Sequence, residues 1–211
     1  HTPRCRALLA GSGVPVVETW DLPEAPLDRV VGFSNAEAGA LVARHLHAQG
    51  RRRIGFIGGD GRRDTRGADR QRGFAAALQA LGLATERRVA GQAPPLSMRE
   101  GAQALNRLLD RWPDTDAVMC VSDLSAFGAL TAAQRRGLAV PEDLALAGFG
   151  AYDLAEHALP GLTTVDAQAR RIGDEAAGLI LAALEDPGAS TDPGRVVLPL
   201  RLLARDSTAA G

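Results

Sequence analysis

Residues 116–150 read DAVMCVSDLSAFGALTAAQRRGLAVPEDLALAGFG, and the fold is decided there. Asp116–Val121 is a short apolar run of strand type, with Ser122 behind it as a candidate N-cap. A helix through Arg136 follows and stops at Gly137, and Leu144–Gly148 is a second apolar run. Strand, helix, strand at this spacing is a βαβ unit, and its two strands must pair in parallel.

The same unit recurs in both directions. Val14–Glu18 and Arg29–Phe33 read as strands. Ser34-Asn-Ala-Glu37 sets a hydroxyl and a carboxylate three residues apart, a capping box for a helix that carries Ala38, Val42 and Leu46 and ends at Gly50. Arg53–Gly58 is a buried strand, and beyond a glycine- and arginine-rich loop a helix presents Phe74, Leu78 and Leu81 before Gly82. Arg88–Ala90 is a weak strand. Ser97–Glu100 is a second capping box, opening a helix with Leu105, Leu108 and Leu109. Downstream, residues 149–162 read as a loop and Thr163–Asp166 as an extended segment. Ala169–Leu184 is a helix with Ile172, Ala176, Leu179 and Ala183 on one stripe. Asp186-Pro-Gly and Asp192-Pro-Gly are turns. Val196–Leu203 is a last extended run, where Pro199 marks an edge or a crossover.

This alternation predicts an α/β fold with parallel strands covered on both faces. Ligands in such folds bind beyond the carboxyl ends of the strands. The positions to inspect are therefore Glu18, Ser34, the loop from Gly58 to Arg70, Ser122, Asp123, and the loop from Phe149 to Asp153.

Composition narrows the chemistry. The 211 residues carry 24 basic and 25 acidic side chains, a net charge of -1, which excludes a strongly basic nucleic-acid-binding body. All the basic residues are arginine, so a Walker-type phosphate loop and a Schiff-base lysine are both excluded. No apolar run approaches the ~20 residues that span a bilayer, and residues 1–13 have no n-region or long apolar h-region, so no signal peptide is expected. Cys5 and Cys120 form no disulfide framework and no metal spacing, so the expected compartment is the cytoplasm.

The loop Gly58–Gly67 is the most unusual stretch. Its glycines admit close backbone approach, and Arg62, Arg63, Arg66 and Arg70 offer forked donors for a carboxylate or phosphate. A nucleotide cradle is disfavoured by the missing G-x-G-x-x-G spacing; a solvated loop is the plain alternative for Arg62 and Arg63. Arg66 and Arg70 are four apart at a helix start, where a cation opposes the helix dipole, and that conflict points to a ligand role. Catalytic signals are thin. Cys120 lies inside an apolar strand, His45 and His47 face different sides of one helix, and His157 has no readable partner. Ser125 is not in a nucleophile elbow, and Arg51–Arg53 reads as a solvated face. No metal, cofactor or enzymatic activity is expected.

The order of pieces strongly resembles a known family. VPVVETWD (14–21), VGFSNAEAGALVARHLHAQGRRRIGFIGG (31–59), RQRGFAAALQALGL (70–83), the 116–150 stretch and PGLTTV (160–165) resemble the effector-binding region of LacI-family transcriptional regulators. The opening HTPR and VPVVE are most similar to the gluconate-repressor branch of that family. The resemblance implies a periplasmic-binding-protein-like fold, two parallel-sheet lobes with an effector between them. Residues 1–33 and 168–194 would be a remnant of the DNA-proximal lobe, incomplete here. Residues 34–165 and 195–206 would form the distal lobe. The family's helix-turn-helix domain is expected to be absent, so operator DNA would be met only through that missing domain, and a homodimer is expected.

By the same resemblance, the effector-binding residues would be Glu18, Arg66, Arg70, Phe74, Ser122, Asp123, Phe149 and Asp153. Arg70 falls where family members place an effector-contacting arginine, and Ser122-Asp123 where many have Asn-Asp. Phe149-Gly150 replaces a common Tyr-Asp, with Asp153 as the substitute acid. One fewer acid and two arginines favour an anionic effector, a sugar acid such as gluconate, over a neutral sugar. A solute-binding protein of a sugar transporter is the alternative with the same fold. A sugar-processing enzyme would need a paired acid and base, and none is legible.

Overall fold

The computed structural model describes residues 1–58, 64–90, 96–185 and 194–209. In chain order its elements are α1 (Pro3–Ala10), β1 (Val17–Thr19), β2 (Arg29–Gly32), α2 (Asn35–Ala48), β3 (Ile54–Gly58), α3 (Thr65–Ala80), β4 (Arg88–Ala90), α4 (Met98–Arg111) and β5 (Ala117–Cys120). Then come α5 (Asp123–Arg135), β6 (Ala145–Ala147), α6 (Asp153–His157), β7 (Thr164–Asp166), α7 (Ala169–Glu185), β8 (Arg195–Val197) and β9 (Arg201–Leu203). The chain forms two compact units, residues 1–34 with 167–200, and residues 35–166 with 201–211.

The first unit holds a three-stranded parallel sheet in the order β1-β2-β8. Its opening helix α1 is absent from the sequence reading, although Thr2-Pro3 is a start signal: the Thr2 side chain accepts the Cys5 N–H, and Pro3 needs no amide partner there. Strand β1 is shorter than the expected Val14–Glu18. Pro15 has no N–H to offer, and the Val16 N–H donates to Asp28 Oδ2 at 3.0 Å. The Trp20 ring meets Phe33 edge-on at 6.1 Å.

The extended run expected over Val196–Leu203 is two strands, and it divides between the units. Strand β8 pairs with β2 in parallel, whereas β9 pairs antiparallel with β7. Residues 195–200, expected with the distal lobe, therefore lie in the first unit. Pro199 cannot donate to a ladder, and its carbonyl is taken by the Gln168 side chain, so the run breaks there.

The second unit is built on a four-stranded parallel sheet in the order β4-β3-β5-β6. Right-handed crossovers put α3 on one face and α4 and α5 on the other. Every residue of β3, β5 and β6 is buried, and Phe56, Ile57, Met119, Leu146, Leu105 and Leu108 fill the core. Helices α4 and α5 touch backbone to backbone. A Cβ on Gly101 would lie 2.2 Å from Ser125 O, and one on Gly128 1.8 Å from Met98 O. On the other face α3 meets α2 as closely, through Gly73 at Ala36.

Two further expectations change. The 149–162 loop contains the short helix α6, whose first turn carries Asp153 and Glu156 in favourable dipole positions. Arg51 is no solvated cation: its guanidinium donates to Pro141 O at 2.6 Å and Glu142 O at 3.1 Å, clamping the turn before β6. The Asp186-Pro-Gly turn and Asp192-Pro193 lie outside the described residues. No helix among the described residues is long and apolar enough to cross a membrane.

The glycines give a paired test. Gly128→Ala should lower the unfolding free energy by about 1–3 kcal/mol, because an added methyl must push α4 off α5. Gly178→Ala, with open space around its Cβ on exposed α7, should raise it by ~0.5–1 kcal/mol. Urea denaturation of both variants measures the two signs.

Candidate functional site

The polar groups of the second unit collect beyond the carboxyl ends of its strands. Asp64 caps α3, its Oδ1 accepting the Gly67 N–H at 2.8 Å. The first two turns of α3 then carry Arg66, which is exposed, and Arg70, which is buried. The Arg70 guanidinium stacks on Phe149, just past β6, 4.3 Å from the ring centroid. Its Nη1 donates to Oδ1 of Asn35, the first residue of α2. An arginine at a helix start opposes the dipole, and these two contacts orient it there.

Past β5, Ser122 and Ser125 complete a capping box for α5. Asp123 is fully buried, and its oxygens are both engaged: Oδ1 accepts the Thr164 hydroxyl at 2.6 Å and Oδ2 the Tyr152 N–H at 2.9 Å. Burial pushes its carboxyl above the ordinary range, against those hydrogen bonds and the charge of Arg205. The loop it grips is strained. Ala151 has a φ of 54°, a left-handed conformation that costs a non-glycine residue about 1–3 kcal/mol. Ala151 N–H donates to Thr164 Oγ1 at 3.2 Å, so the same threonine holds this turn.

The other expected site residues are placed differently. Phe74 is buried, with its ring 5.4 Å from that of Phe56 on β3. Asp153 is exposed at the start of α6. Glu18 belongs to the first unit; it accepts the Leu27 N–H at 2.6 Å and meets His1 Nε2 at 3.1 Å. Arg62 and Arg63 lie outside the described residues. Asn35 and Thr164 were missed. Asn35 lies inside the Ser34–Glu37 stretch that reads as a capping box, and Thr164 inside PGLTTV, so each is visible only as part of another signal.

Other reactive groups are committed elsewhere. Burial, and secondarily the Asp123 charge, push the Cys120 thiol far up, so it supplies no thiolate. His45 is lowered by burial and shares a 2.7 Å hydrogen bond with Thr208. Among the described residues no group of three or more His, Cys, Asp or Glu side chains could hold a metal ion.

Residues 43–208, which hold this parallel α/β unit with its oriented arginine and braced loop, match the family described as periplasmic binding protein-like domain. The HTH-type transcriptional regulator GntR of Escherichia coli (strain K12) is 34% identical over 193 residues, 92% of this chain and 56% of its own length. CelR of Thermobifida fusca is 33% identical over 95% of this chain and 58% of its own. Among solved structures, a LacI family transcriptional regulator from Silicibacter pomeroyi is 38% identical with a TM-score of 0.90, over 98% of this chain and 74% of that one. The transcription regulator GntR from Chromobacterium violaceum also reaches 0.90 at 38% identity, over 99% and 75%. The chain belongs to the LacI family of transcriptional regulators, within their periplasmic-binding-protein-like region. It spans a little over half the length of the curated relatives just named.

The Asp123 carboxyl predicts a pH dependence. Its folded-state pKa is raised above 3.8, so its contribution to stability is full below that value and is lost as pH rises through the folded pKa. Asp123→Asn should therefore lose less stability than the native chain between acid and neutral pH. Urea unfolding at a series of pH values checks this; parallel profiles would contradict it.

Proposed function

We propose that this chain is the effector-sensing part of a transcriptional regulator and that its effector is a small sugar acid such as gluconate. One observation carries the reading: the Arg70 guanidinium, oriented by Asn35 and Phe149, stands beyond the carboxyl ends of a parallel sheet. A guanidinium presents forked donors to a carboxylate, and burial strengthens the pairing. Arg66, one turn earlier on α3, adds a second positive charge to the approach. The relatives supply the regulatory context, since several are named HTH-type regulators and one solved neighbour is a CelR–cellobiose complex.

In this reading the effector shifts the parent protein between two arrangements, by no more than its differential affinity for them. Operator DNA is contacted by a helix-turn-helix part of the parent, which acts as a cytoplasmic dimer. Nothing in the proposal calls for an enzymatic step. Ser122 and Arg66 are the polar groups proposed to reach the sugar hydroxyls and carboxylate beside Arg70.

Calorimetric titration of the chain with D-gluconate, D-glucose and cellobiose is the test. Gluconate should bind saturably, and Arg70→Lys should weaken it roughly 10- to 100-fold, the loss of a charge-assisted hydrogen bond in forked geometry. Neutral sugars should bind more weakly than gluconate and be less sensitive to Arg70→Lys. No heat with gluconate, or a neutral sugar binding as tightly, overturns the sugar-acid reading.

A further inference from the structure

Four consecutive residues beyond β6 each have a backbone polar group tied down. Phe149 O accepts the Asp123 N–H at 3.0 Å, and Gly150 N–H donates to Val165 O at 3.0 Å. Ala151 N–H donates to Thr164 Oγ1 at 3.2 Å, and Tyr152 N–H to Asp123 Oδ2 at 2.9 Å. The Thr164 hydroxyl closes the circuit on Asp123 Oδ1 at 2.6 Å. Asp123 and Thr164 are both 0% exposed, so an arriving molecule meets neither the carboxylate nor the hydroxyl. The space is closed from behind as well: a Cβ on Gly148 would lie 2.2 Å from Asp123 Oδ1. What this circuit holds is a loop with a left-handed alanine, and at the head of that loop is the ring beneath Arg70.

We infer that Asp123 and Thr164 act as a hydroxyl–carboxylate pin, positioning residues that set effector affinity without touching the effector, by fixing residues 149–152 so that Phe149 stays under Arg70. The affinity part rests on the sugar-acid reading above; the pin itself can be read without ligand. Its centre is the Thr164 hydroxyl, which donates to Asp123 and accepts from Ala151. Valine in its place keeps the shape but leaves the Ala151 N–H and a carboxylate oxygen without that partner. Serine keeps both hydrogen bonds and gives up only a buried methyl. Packing alone ranks Thr164→Val above Thr164→Ser; the pin ranks them the other way.

The test uses the full chain and two readouts. Amide hydrogen exchange at Ala151 and Tyr152, without ligand, should quicken roughly tenfold or more in Thr164→Val and stay within about threefold of native in Thr164→Ser, the ratio expected for a lost hydrogen bond. D-gluconate affinity should follow the same order, with a loss of about tenfold or more in Thr164→Val. Native-like exchange in Thr164→Val, or equal disruption by serine and valine, overturns the pin. If exchange ranks as expected and affinity does not follow, the positioning role is overturned. If the native chain gives no heat with gluconate, the sugar-acid reading falls and exchange alone decides the pin. Should Thr164→Val not fold, Thr164→Ala against Thr164→Ser carries the same contrast, since both lack the methyl.

Discussion

Strands buried on both faces have no room for polar side chains except at their ends. In β3, β5 and β6 every position is buried, and the ladder between them is made of backbone alone. Polar residues that the fold encloses are therefore gathered where the strands stop, and each must find a partner among the others. Asn35 takes Arg70, and Thr164 takes Asp123. The burial that makes the core thus also determines where an oriented guanidinium and a braced loop can exist.

A second group of enclosed hydroxyls shows the same constraint at the edge of this unit. Ser207 Oγ donates to Leu146 O at 2.6 Å, and Thr208 Oγ1 lies 2.7 Å from Thr163 Oγ1. His45 joins it from α2. The segment after β9 is thereby fastened to β6 and β7 by side chains, since its one turn of 3-10 helix is too short to hold itself.

Much of this was legible in the sequence because burial writes itself as periodicity. The parallel alternation, the Ser97–Glu100 capping box, the Ser122 N-cap and the strand ends bearing Ser122 and Phe149 follow from spacing alone. The failures have physical causes. Helix α6 is a single polar turn and leaves no stripe. The run through Pro199 looked continuous because both halves are apolar, while partner choice is decided by hydrogen bonds that spacing does not encode. At the site, Arg70 stood out because a cation at a helix start is locally unfavourable. Asn35 and Thr164 are ordinary residues in favourable places and gave no such conflict. Helical spacing shows that Phe74 faces inward, and the structure sets its ring against Phe56, a partner that spacing does not name.

The pairing of β2 carries a consequence for biosynthesis. Val30 is in register with Val17's neighbour Glu18 on one side and with Arg195 on the other. A ribosome releases the first of these partners almost at once and the second only after all of residues 35–166 have emerged. One flank of β2 must wait, open, while the intervening unit has time to collapse from its own local contacts. A chain being made is thus open to wrong pairing longest on that flank of β2, and a chaperone guarding it would be needed longest there.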